Sequence, residues 1–575
     1  MPRSSGPPTP PGPDVGGHPS EARGTVSPAR VLVLATAGVR RVCAAVAAAR
    51  RSEPAARVVL GVAEVDAWRY REAGVEPWTL GEHALVFNPV LQETVRERGF
   101  DLVVVPVGLP REGFATLPAL VRARPAPQVL VTGPAGLRLR SPTIAWACLA
   151  ALSLGLHLPI TLAVRGARAL DGLGLLVVQA AARLRGRPVA ISHPASGVCH
   201  VIHSLGTGGA QRQLVEHLRR KAAAGEPTRL LVLTNYNDLF RDELAALGIP
   251  FETLYDRLRR GRLRHLLAYL FPRVALALVL AARLRELHPA CVWSWLLLAN
   301  VVAAPAARLA GAPRVLTSVR NLSAWKAWPE YRRWWYRPAD RGAAALSDGV
   351  VVNARALIND YAAWAGVQPE KIHVVPNGID AERFLAAPWH DVRAELRIPS
   401  DALVVLTLGR LAAEKNHALL LRSSAALHRD GLPHTVVLAG HGELEPELRR
   451  HAEALGIAES VVFAGKTDRP QSFYRSADVF ALPSRVEGMP NALMEAQLFG
   501  LPAVTTAAGG ASEVVVDGET GFLVGVDDEA AFTAALRRLL SDAALRRAMG
   551  ERAARHAREA LSLDRTMAAM EALLE

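Results

Sequence analysis

The sequence predicts an α/β protein of several domains, in which helices cover mostly parallel sheets. Short runs of β-branched residues alternate with longer stretches of helical period along most of the chain, a pattern typical of βαβ units. The chain has 575 residues, too many for one ordinary domain. Hydrophobic residues make up 50% of it, which is enough for large buried cores.

The charge of the chain narrows the choice of partners. The formal net charge is +13, and nearly all of the basic residues are arginine. Such a charge is compatible with nucleotides or anionic lipid as partners. The arginines are scattered, and the sequence has neither zinc-finger spacing nor a basic-aromatic ribbon, so we predict no nucleic-acid partner.

The cysteines and the first residues bear on the cellular compartment. The spacing of the four cysteines fits neither a metal site nor a disulfide framework, which predicts a reducing, cytoplasmic compartment. Residues 1–28 are rich in Pro, Gly and Ser and contain no apolar run. We therefore predict a disordered tail there rather than a secretory signal.

The first α/β series occupies residues 29–190, where we predict a Rossmann-like domain of unknown role. Its strands are expected at 30–35, 56–62, 101–107 and 128–132. No glycine-rich phosphate loop follows the first of these strands.

Residues 143–164 carry no formal charge and are flanked by arginines. The stretch is long enough to span a bilayer, which takes about 20 apolar residues. It is also rich in alanine and is interrupted by Gly155 and Pro159. Three structures therefore remain open: a buried helix and strand, an element on a membrane surface, or a true span.

Two further α/β series follow, and we predict one domain at 198–384 and another at 385–575, joined by a linker at 385–399. Strands of the first series are expected at 199–204, 229–234, 290–294, 314–318 and 349–353, with helices at 210–224 and 263–287. Strands of the second series are expected at 403–408, 434–439, 460–463 and 478–482, with Arg-rich helices in 527–575.

The segment from Glu487 to Glu495 (EGMPNALME) predicts a ligand site at the start of a helix. Gly488 lets the backbone approach a ligand, and Pro490 suits the first helical position because it lacks an amide hydrogen. A helix over 491–499 would present free N–H groups to an anion. Its two carboxylates would accept hydrogen bonds from hydroxyl groups, so the site suits a ligand that is part phosphate and part polyol.

Other turns at predicted strand ends carry residues that suit a phosphate ligand. GTGGA at 206–210 follows a strand and opens a helix, which lets the backbone approach an anion. Arg410 and Lys415 lie on a loop after a strand, where two cations would clamp a diphosphate. Glycines flank His441, and an Asn-Gly turn occurs at 377–378. Each turn alone also fits a plain connection, but together they predict a cleft between two domains.

The order of these motifs resembles that of the retaining glycosyltransferases of the GT-B fold, in the large family four. The resembling motifs are GGAQR at 208–212, VPNGID at 375–380, GRLAAEK at 409–415, SADVFALPS at 476–484, the two-acid segment at 487–495, and GETGFL at 518–523. The resemblance covers residues 199–575 and implies two Rossmann-like domains in a GT-B arrangement. The first 190 residues lie outside it.

The resemblance implies a role for the two-acid segment. Glu487 would contact the hydroxyls of the donor sugar, and Glu495 would hold the ribose of the nucleotide. The backbone between them would face the sugar and phosphates, through Gly488, Met489, Pro490 and Asn491.

It also implies how the diphosphate is held. Arg410 and Lys415 would bind it and stabilise the departing nucleotide. Gly208 and Gly209 would complete the phosphate pocket from the opposite domain, and Lys466 would lie near the base. No metal or other cofactor is expected, since two cations and a helix dipole would replace the ion.

The implied activity is transfer of a sugar from a nucleotide-sugar donor to a glycan or lipid-linked acceptor, with retention of anomeric configuration. Such a hexosyl-type enzyme would serve polysaccharide or cell-surface glycan biosynthesis, in the cytoplasm or at the inner face of the membrane, with peripheral membrane contact. The alternative is a non-catalytic subunit of a glycan assembly complex that binds nucleotide-sugars.

One loop departs from the family pattern. Many relatives carry a histidine after the strand that ends near Ser318, where this chain reads Ser-Val-Arg-Asn-Leu-Ser at 318–323. Arg320 or Asn321 would fill that place and meet the donor or an anionic acceptor. The aromatic and basic run at 325–337 fits either an acceptor or membrane patch or a packed amphipathic helix.

Overall fold

A computed structural model describes six strands between residues 30 and 139, and then the ranges 158–185, 197–206, 208–234, 240–258, 270–321 and 333–575. The chain divides into two compact units, residues 1–163 and residues 164–575.

Six strands form the sheet of the first unit. They are β1 (Arg30–Leu34), β2 (Arg57–Val62), β3 (Pro77–Thr79), β4 (Leu102–Pro106), β5 (Gln128–Thr132) and β6 (Arg138–Leu139). Their order is β3-β2-β1-β4-β5-β6, and all pairs are parallel except β5 with β6. The four strands predicted from the sequence are confirmed. The tail at 1–28 and the segments between these strands lie outside the described residues, so the Rossmann-like domain at 29–190 stays a prediction.

Of the uncharged stretch at 143–164, only residues 158–164 are described. They form the start of α1 (Leu158–Leu184), a helix that the sequence interpretation did not anticipate as one element. Within the described part of the chain, no helix combines the length and apolar character that a bilayer span needs.

The second unit contains a seven-stranded parallel sheet. Its strands are β7 (Val198–Ile202), β8 (Thr228–Val232), β9 (Phe251–Thr253), β10 (Cys291–Trp295), β11 (Arg314–Val319), β12 (Gly349–Val352) and β13 (Ile372–Val374). They run in the order β13-β12-β11-β10-β7-β8-β9. The five predicted strands are confirmed. The sequence interpretation missed β9 and β13, the two edge strands, because three residues give almost no periodicity.

A second parallel sheet in the same unit has six strands. They are β14 (Val404–Leu408), β15 (Thr435–Ala439), β16 (Val461–Gly465), β17 (Val479–Leu482), β18 (Ala503–Thr506) and β19 (Gly521–Val524), in the order β16-β15-β14-β17-β18-β19. The four predicted strands are confirmed, and β18 and β19 were missed. Two such sheets agree with the predicted pair of parallel-sheet α/β domains.

Helices pack against both of these sheets. They are α2 (Gly209–Ala223), α3 (Arg241–Ala246), α4 (Leu254–Leu258), α5 (Pro272–Leu287), α6 (Leu297–Ala310), α7 (Tyr336–Leu346), α8 (Leu357–Ala365), α9 (Ala381–Ala386), α10 (Val392–Glu395), α11 (His417–Arg429), α12 (Glu445–Ala454), α13 (Pro470–Arg475), α14 (Asn491–Leu498), α15 (Glu529–Ser541), α16 (Ala543–Ala560) and α17 (Leu563–Glu571). The helix predicted at 263–287 is described from Pro272, because residues 259–269 lie outside the described ranges.

The central strands are buried on both faces, which explains their continuous apolar sequence. All five residues of β10 are buried, including Trp293 and Trp295. Parallel strands covered by helices on both faces lose the alternation that half-buried strands show. The buried apolar surface is the main source of the folding free energy, at roughly 25 cal/mol per Å².

The last helix, α17, packs with the seven-stranded sheet although it follows the helices that cover the six-stranded sheet. In α17, Met570 packs in one apolar cluster with Ile202 and Trp293 of the seven-stranded sheet. The backbone N–H of Leu563 donates to Ile379 O at 2.9 Å. Residues 164–575 therefore form one compact unit, and the boundary at 384/385 stays a prediction.

Candidate active site

Glu487 lies buried on the loop between β17 and α14. Its Oε1 accepts one hydrogen bond from Lys415 Nζ at 2.6 Å and another from Ser484 Oγ at 2.7 Å. The residue is only 6% exposed, so the ion pair with Lys415 lies in a largely dry environment. The structure thus brings together two of the predicted site residues, which are 72 positions apart in sequence.

Lys415 owes its position to a tight turn after β14. Residues Ala413–Lys415 form one turn of 3-10 helix, and Asn416 follows with φ of 52°. Asparagine tolerates this left-handed conformation better than most residues. Asn416 Nδ2 also donates to Asp527 Oδ1 at 2.9 Å, which fastens the turn and fixes the direction of the lysine.

Glu495, the second acid, lies in α14 and is bonded by side chains of two other helices, α2 and α13. Its Oε1 accepts from Arg212 Nη1 of α2 at 2.8 Å, and its Oε2 accepts from the Tyr474 hydroxyl at 2.9 Å. Burial and the adjacent carboxylate raise the pKa of Tyr474 well above its ordinary value. The tyrosine therefore stays protonated and acts as a donor to Glu495.

Gly488 allows the loop after β11, which carries Arg320, to approach the two-acid segment closely. A Cβ atom added there would lie 1.9 Å from the carbonyl oxygen of Arg320, so no other residue fits without movement of the backbone. The N–H of Gly510 donates to Gly488 O at 2.6 Å and holds the turn.

α14 begins at Asn491, where the predicted helix begins, and ends at Leu498, one residue before the predicted end. Pro490 precedes the helix with ψ of 108°, and its carbonyl accepts the first helical bond from Met494 N at 3.2 Å. The prediction that Pro490 is the first helical residue is therefore wrong by one position. The helix N-terminus still lies beside Glu487, as predicted.

Asn377, which lies shortly after β13 of the seven-stranded sheet, bonds the start of α14. Its Nδ2 donates to Met489 O at 3.0 Å and to Asn491 Oδ1 at 2.7 Å. Asn491 Nδ2 in turn donates to Gly209 O at 3.1 Å, at the first residue of α2. The glycine loop with Gly208 and the two-acid segment therefore meet across the cleft, although 282 positions separate Asn491 from Gly209.

Arg410 lies at the carboxyl end of β14, directly after Gly409. It pairs with Glu414 on its own loop, and its side chain is half exposed. The carboxyl ends of neighbouring strands are linked, since Gly409 N donates to Ala439 O at 2.9 Å and Gly440 N donates to Gly465 O at 2.7 Å. Arg410 therefore lies at the same edge of the sheet as the turns that follow β15 and β16.

Lys466 and His441 also lie at this edge, with exposed side chains. The structure places Lys466 directly after β16, and its predicted position near a base remains a prediction. Within the described ranges, no group of three or more His, Cys, Asp or Glu side chains is arranged to hold a metal ion. The expectation that no metal is needed likewise remains a prediction.

Arg320 is the most unusual charged residue near the site. It is 6% exposed, its Nη1 donates to Asn377 Oδ1 at 3.1 Å, and its Cζ lies 4.3 Å from the ring centre of Trp295. Burial lowers the pKa of its guanidinium to about 9. Of the two residues considered for the place of the family histidine, Arg320 is the buried one.

Sequence reasoning missed the partners that hold the two acids. Arg212, Tyr474 and Ser484 were not assigned roles, although Arg212 and Ser484 lie within motifs of the resemblance. Asn377 also lies in such a motif, in an Asn-Gly turn that fits a plain turn equally well. No local pattern marks Tyr474, because its role depends on the packing of α13 against α14.

Two family descriptions match the second unit of the chain. Residues 207–383 match "Glycosyltransferase Family 4", and residues 390–556 match "Glycosyl transferases group 1". The first match covers the seven-stranded sheet from the glycine loop onward, and the second covers the six-stranded sheet.

Several curated proteins are similar in sequence. A GDP-mannose-dependent alpha-(1-6)-phosphatidylinositol monomannoside mannosyltransferase of Mycolicibacterium smegmatis is 32% identical over 300 residues, which are 50% of this chain and 76% of that protein. The D-inositol 3-phosphate glycosyltransferase of Streptomyces avermitilis is 36% identical over 229 residues, covering 37% and 48%. The Vi polysaccharide biosynthesis protein VipC/TviE of Salmonella typhi is 28% identical, covering 56% and 61%. The chain thus spans about half the length of several relatives that it matches.

Solved structures share the fold. Anabaena HepE in complex with UDP superimposes with a TM-score of 0.55 at 20% identity, covering 66% of this chain and 99% of that one. Sucrose-phosphate synthase of Thermosynechococcus elongatus gives 0.56 at 20% identity, covering 66% and 98%. Together with the matched residues and the two sheets, these findings show that the chain belongs to the group 1 and family 4 type of glycosyltransferases, which have the GT-B fold.

Proposed function

We propose that this protein transfers a sugar from a nucleotide-sugar donor to a glycan or lipid-linked acceptor, with retention of anomeric configuration. One observation carries the proposal: Lys415 meets Glu487 at 2.6 Å beside the N-terminus of α14, and Glu495 lies eight residues further along. A cation, a free helix terminus and two acids are what a sugar bound to a diphosphate requires.

The site gives each part of the donor a partner. The sugar hydroxyls would donate to Glu487, and the ribose hydroxyls would donate to Glu495. The diphosphate would lie against the N–H groups of α14 and the cations Lys415 and Arg410. These cations neutralise the charge that develops on the departing diphosphate, so no metal ion is required in this proposal.

Retention fits a reaction on one face of the sugar. In the proposed step, the acceptor oxygen forms a bond to the anomeric carbon on the face from which the diphosphate departs. The acceptor proton passes to the departing phosphate oxygen, so atoms and charge balance without a protein nucleophile. Rate enhancement would come from positioning and electrostatic stabilisation.

The names of relatives support the class of pathway. One similar protein is named as a phosphatidylinositol monomannoside mannosyltransferase and another as a Vi polysaccharide biosynthesis protein. HepE is described in complex with UDP-glucose. We therefore propose a role in polysaccharide or cell-surface glycan synthesis with a hexosyl donor.

Peripheral contact with the inner face of the membrane is part of the same proposal. In α1, Leu170, Leu173 and Val177 share one helix face and are 57%, 48% and 62% exposed. Two exposed arginines, Arg183 and Arg185, lie at the end of this helix. Apolar side chains beside arginines suit a surface of anionic lipid. Flotation with phosphatidylglycerol vesicles should be lost in a Leu173→Gln/Val177→Gln variant if this contact is real.

Release of nucleoside diphosphate from a panel of UDP-, GDP- and ADP-sugars tests the activity. We expect Glu487→Gln and Lys415→Met to slow release at least about 100-fold, as removal of one electrostatic stabiliser commonly does. Glu453→Gln and Lys371→Met, remote from the site, serve as matched controls. NMR of the anomeric proton in the first product reports retention. Equal rates in all five proteins would contradict the proposed site, and nucleotide-sugar binding without turnover would indicate a non-catalytic binding subunit.

A further inference from the structure

Arg320 is a buried cation that has no anionic partner among the described residues. Its Nη1 donates to the neutral Asn377, but within the part of the chain that the structure describes neither Nε nor Nη2 has a hydrogen-bond partner. A buried charge is normally paired or fully hydrogen-bonded, because removing it from water is costly. A negatively charged ligand would therefore supply the partner that Arg320 lacks among the described residues.

The unpartnered edge has the geometry of an anion site. Nε and Nη2 lie along one edge of the planar guanidinium group. Their N–H bonds point the same way, so this edge can donate two parallel hydrogen bonds to a carboxylate or phosphate. Stacking of the guanidinium on Trp295, with Cζ 4.3 Å from the ring centre, fixes this plane. The bond from Nη1 to Asn377 fixes the rotation within that plane and leaves the two-donor edge for a ligand.

Charge balance in the site sets Arg320 apart from the other cations. Lys415 pairs with Glu487, Arg410 with Glu414, and Arg212 with Glu495. Each of these three cations has its own carboxylate, whereas the ion pairs of the described residues include none for Arg320. Arg320 is therefore the cation in this group that a carboxylate of a ligand can pair with without breaking an existing ion pair.

The position of Arg320 points to the sugar end of the donor. Its carbonyl oxygen abuts Gly488, where an added Cβ would lie at 1.9 Å, and Gly488 directly follows the acid assigned to the sugar hydroxyls. Asn353 Oδ1 lies beside the same glycine, 2.9 Å from that Cβ position, and it also lacks a partner in the described structure. Asn353 Nδ2 and Arg320 Nη1 both donate to Asn377 Oδ1, at 3.4 and 3.1 Å, so the unpaired acceptor and the unpaired double donor surround one side chain. This arrangement suits a group that carries both a hydroxyl and a carboxylate.

We propose that Arg320 binds a carboxylate on the donor sugar, so that the preferred donor is a nucleoside diphosphate hexuronate. The inference rests on the proposed function, since it assumes that a nucleotide-sugar occupies the cleft. Nε and Nη2 are covered in this conformation, so the carboxylate would replace contacts that now cover them. Asn353 Oδ1 would then accept from a neighbouring hydroxyl of the sugar.

Calorimetric binding to the full chain tests the proposal with UDP, UDP-glucose, UDP-glucuronate and UDP-galacturonate, and with GDP, GDP-mannose and GDP-mannuronate. We expect one hexuronate to bind about 10- to 100-fold more tightly than the neutral sugar on the same base, as charge-assisted bonds imply. Arg320→Met should remove this preference and change the affinity for the free diphosphate less than about threefold. Arg558→Met, an exposed arginine of α16, is the matched control and should behave as wild type.

A second measurement separates a ligand-binding role from a structural one. Without ligand, Arg320→Met should leave the melting temperature unchanged or raise it, because an unpaired buried cation is removed. A lower melting temperature together with unchanged sugar preference would make Arg320 a structural residue and overturn the proposal.

The other outcomes are also decisive. Equal affinity for neutral and acidic sugars in wild type overturns the hexuronate inference but leaves the proposed function intact. Equal weakening of the free diphosphate and the hexuronate in Arg320→Met assigns Arg320 to the diphosphate and also overturns it. Failure of every nucleotide and nucleotide-sugar to bind wild type contradicts the proposed function itself.

Discussion

Arg212 of α2 and Glu495 of α14 form an ion pair between helices of the two α/β series in the second unit, with Arg212 Nη1 2.8 Å from Glu495 Oε1. The carboxylate is only 4% exposed, and it raises the pKa of the arginine through its negative charge. The predicted ribose ligand, Glu495, is therefore already held from the opposite side of the cleft before any nucleotide is bound.

We predict that Arg212→Gln lowers the free energy of unfolding by about 1–2 kcal/mol. Breaking a fully buried pair costs about 3–5 kcal/mol, but the arginine side chain is 39% exposed, so solvent screening reduces the effect. Urea denaturation at neutral pH measures the change.

Arg220→Gln is the matched control for this prediction. Arg220 lies on the same helix and pairs with Asp564 of α17, but both side chains are well exposed. We expect a change within about 0.5 kcal/mol there. Similar losses in the two variants would contradict a special role for the Arg212–Glu495 pair.

Gly488 should tolerate no side chain. An added Cβ would lie 1.9 Å from Arg320 O and 2.9 Å from Asn353 Oδ1, so Gly488→Ala must displace the turn that carries Glu487. We expect a loss of about 2–4 kcal/mol in stability, in the range of severe overpacking, and loss of measurable donor turnover.

Gly166→Ala provides the contrast. Gly166 lies within α1, and an added Cβ there would have no neighbour within 4 Å. Alanine is favoured over glycine in a helix by about 1 kcal/mol, so this variant should be neutral or slightly more stable. An alanine at 488 that behaves like the alanine at 166 would show that the close approach is absent.

His417 predicts a specific dependence of stability on pH. It follows the Lys415 turn, and burial, together with the charge of Lys415, lowers its pKa to about 4. The unfolded chain retains the ordinary value of 6.5 and so binds more protons between these limits. The contribution of His417 to the free energy of unfolding is thus fully present above pH 6.5 and is lost as the pH falls toward 4.

His417→Gln measures this contribution. Relative to the variant, wild type should lose about 2 kcal/mol in free energy of unfolding between pH 7 and pH 5, because each pKa unit corresponds to about 1.4 kcal/mol. Parallel stability curves for the two proteins over this range would mean that His417 titrates normally when folded.

The sequence predicts a strand well where the apolar run is long. Val404–Leu408 stands out because it is a run of β-branched and leucine residues that ends at a glycine. Ala503–Thr506 has only four residues, too few to show a period, and its place in the sheet is decided by pairing with β17 and β19. Edge strands of three residues depend still more on tertiary pairing.

The candidate site is predictable as a set of motifs but not as a network. The spacing of Glu487 and Glu495 predicts two acids at a helix start, and the structure has them there. The contact of Glu495 with Arg212 joins residues 283 positions apart, and no local pattern encodes it. The missing partner of Arg320 is visible only when its whole surrounding is known, because the absence of an anion is a property of packing.

A crystal structure of the protein with a bound nucleoside diphosphate tests the central claim most directly. The account predicts a phosphate oxygen within hydrogen-bond distance, about 2.7–3.2 Å, of Lys415 Nζ and of an N–H group at the start of α14. It also predicts a ribose hydroxyl in contact with Glu495. A nucleotide that lies away from Lys415 and α14, or that leaves Glu495 without contact, would contradict the account.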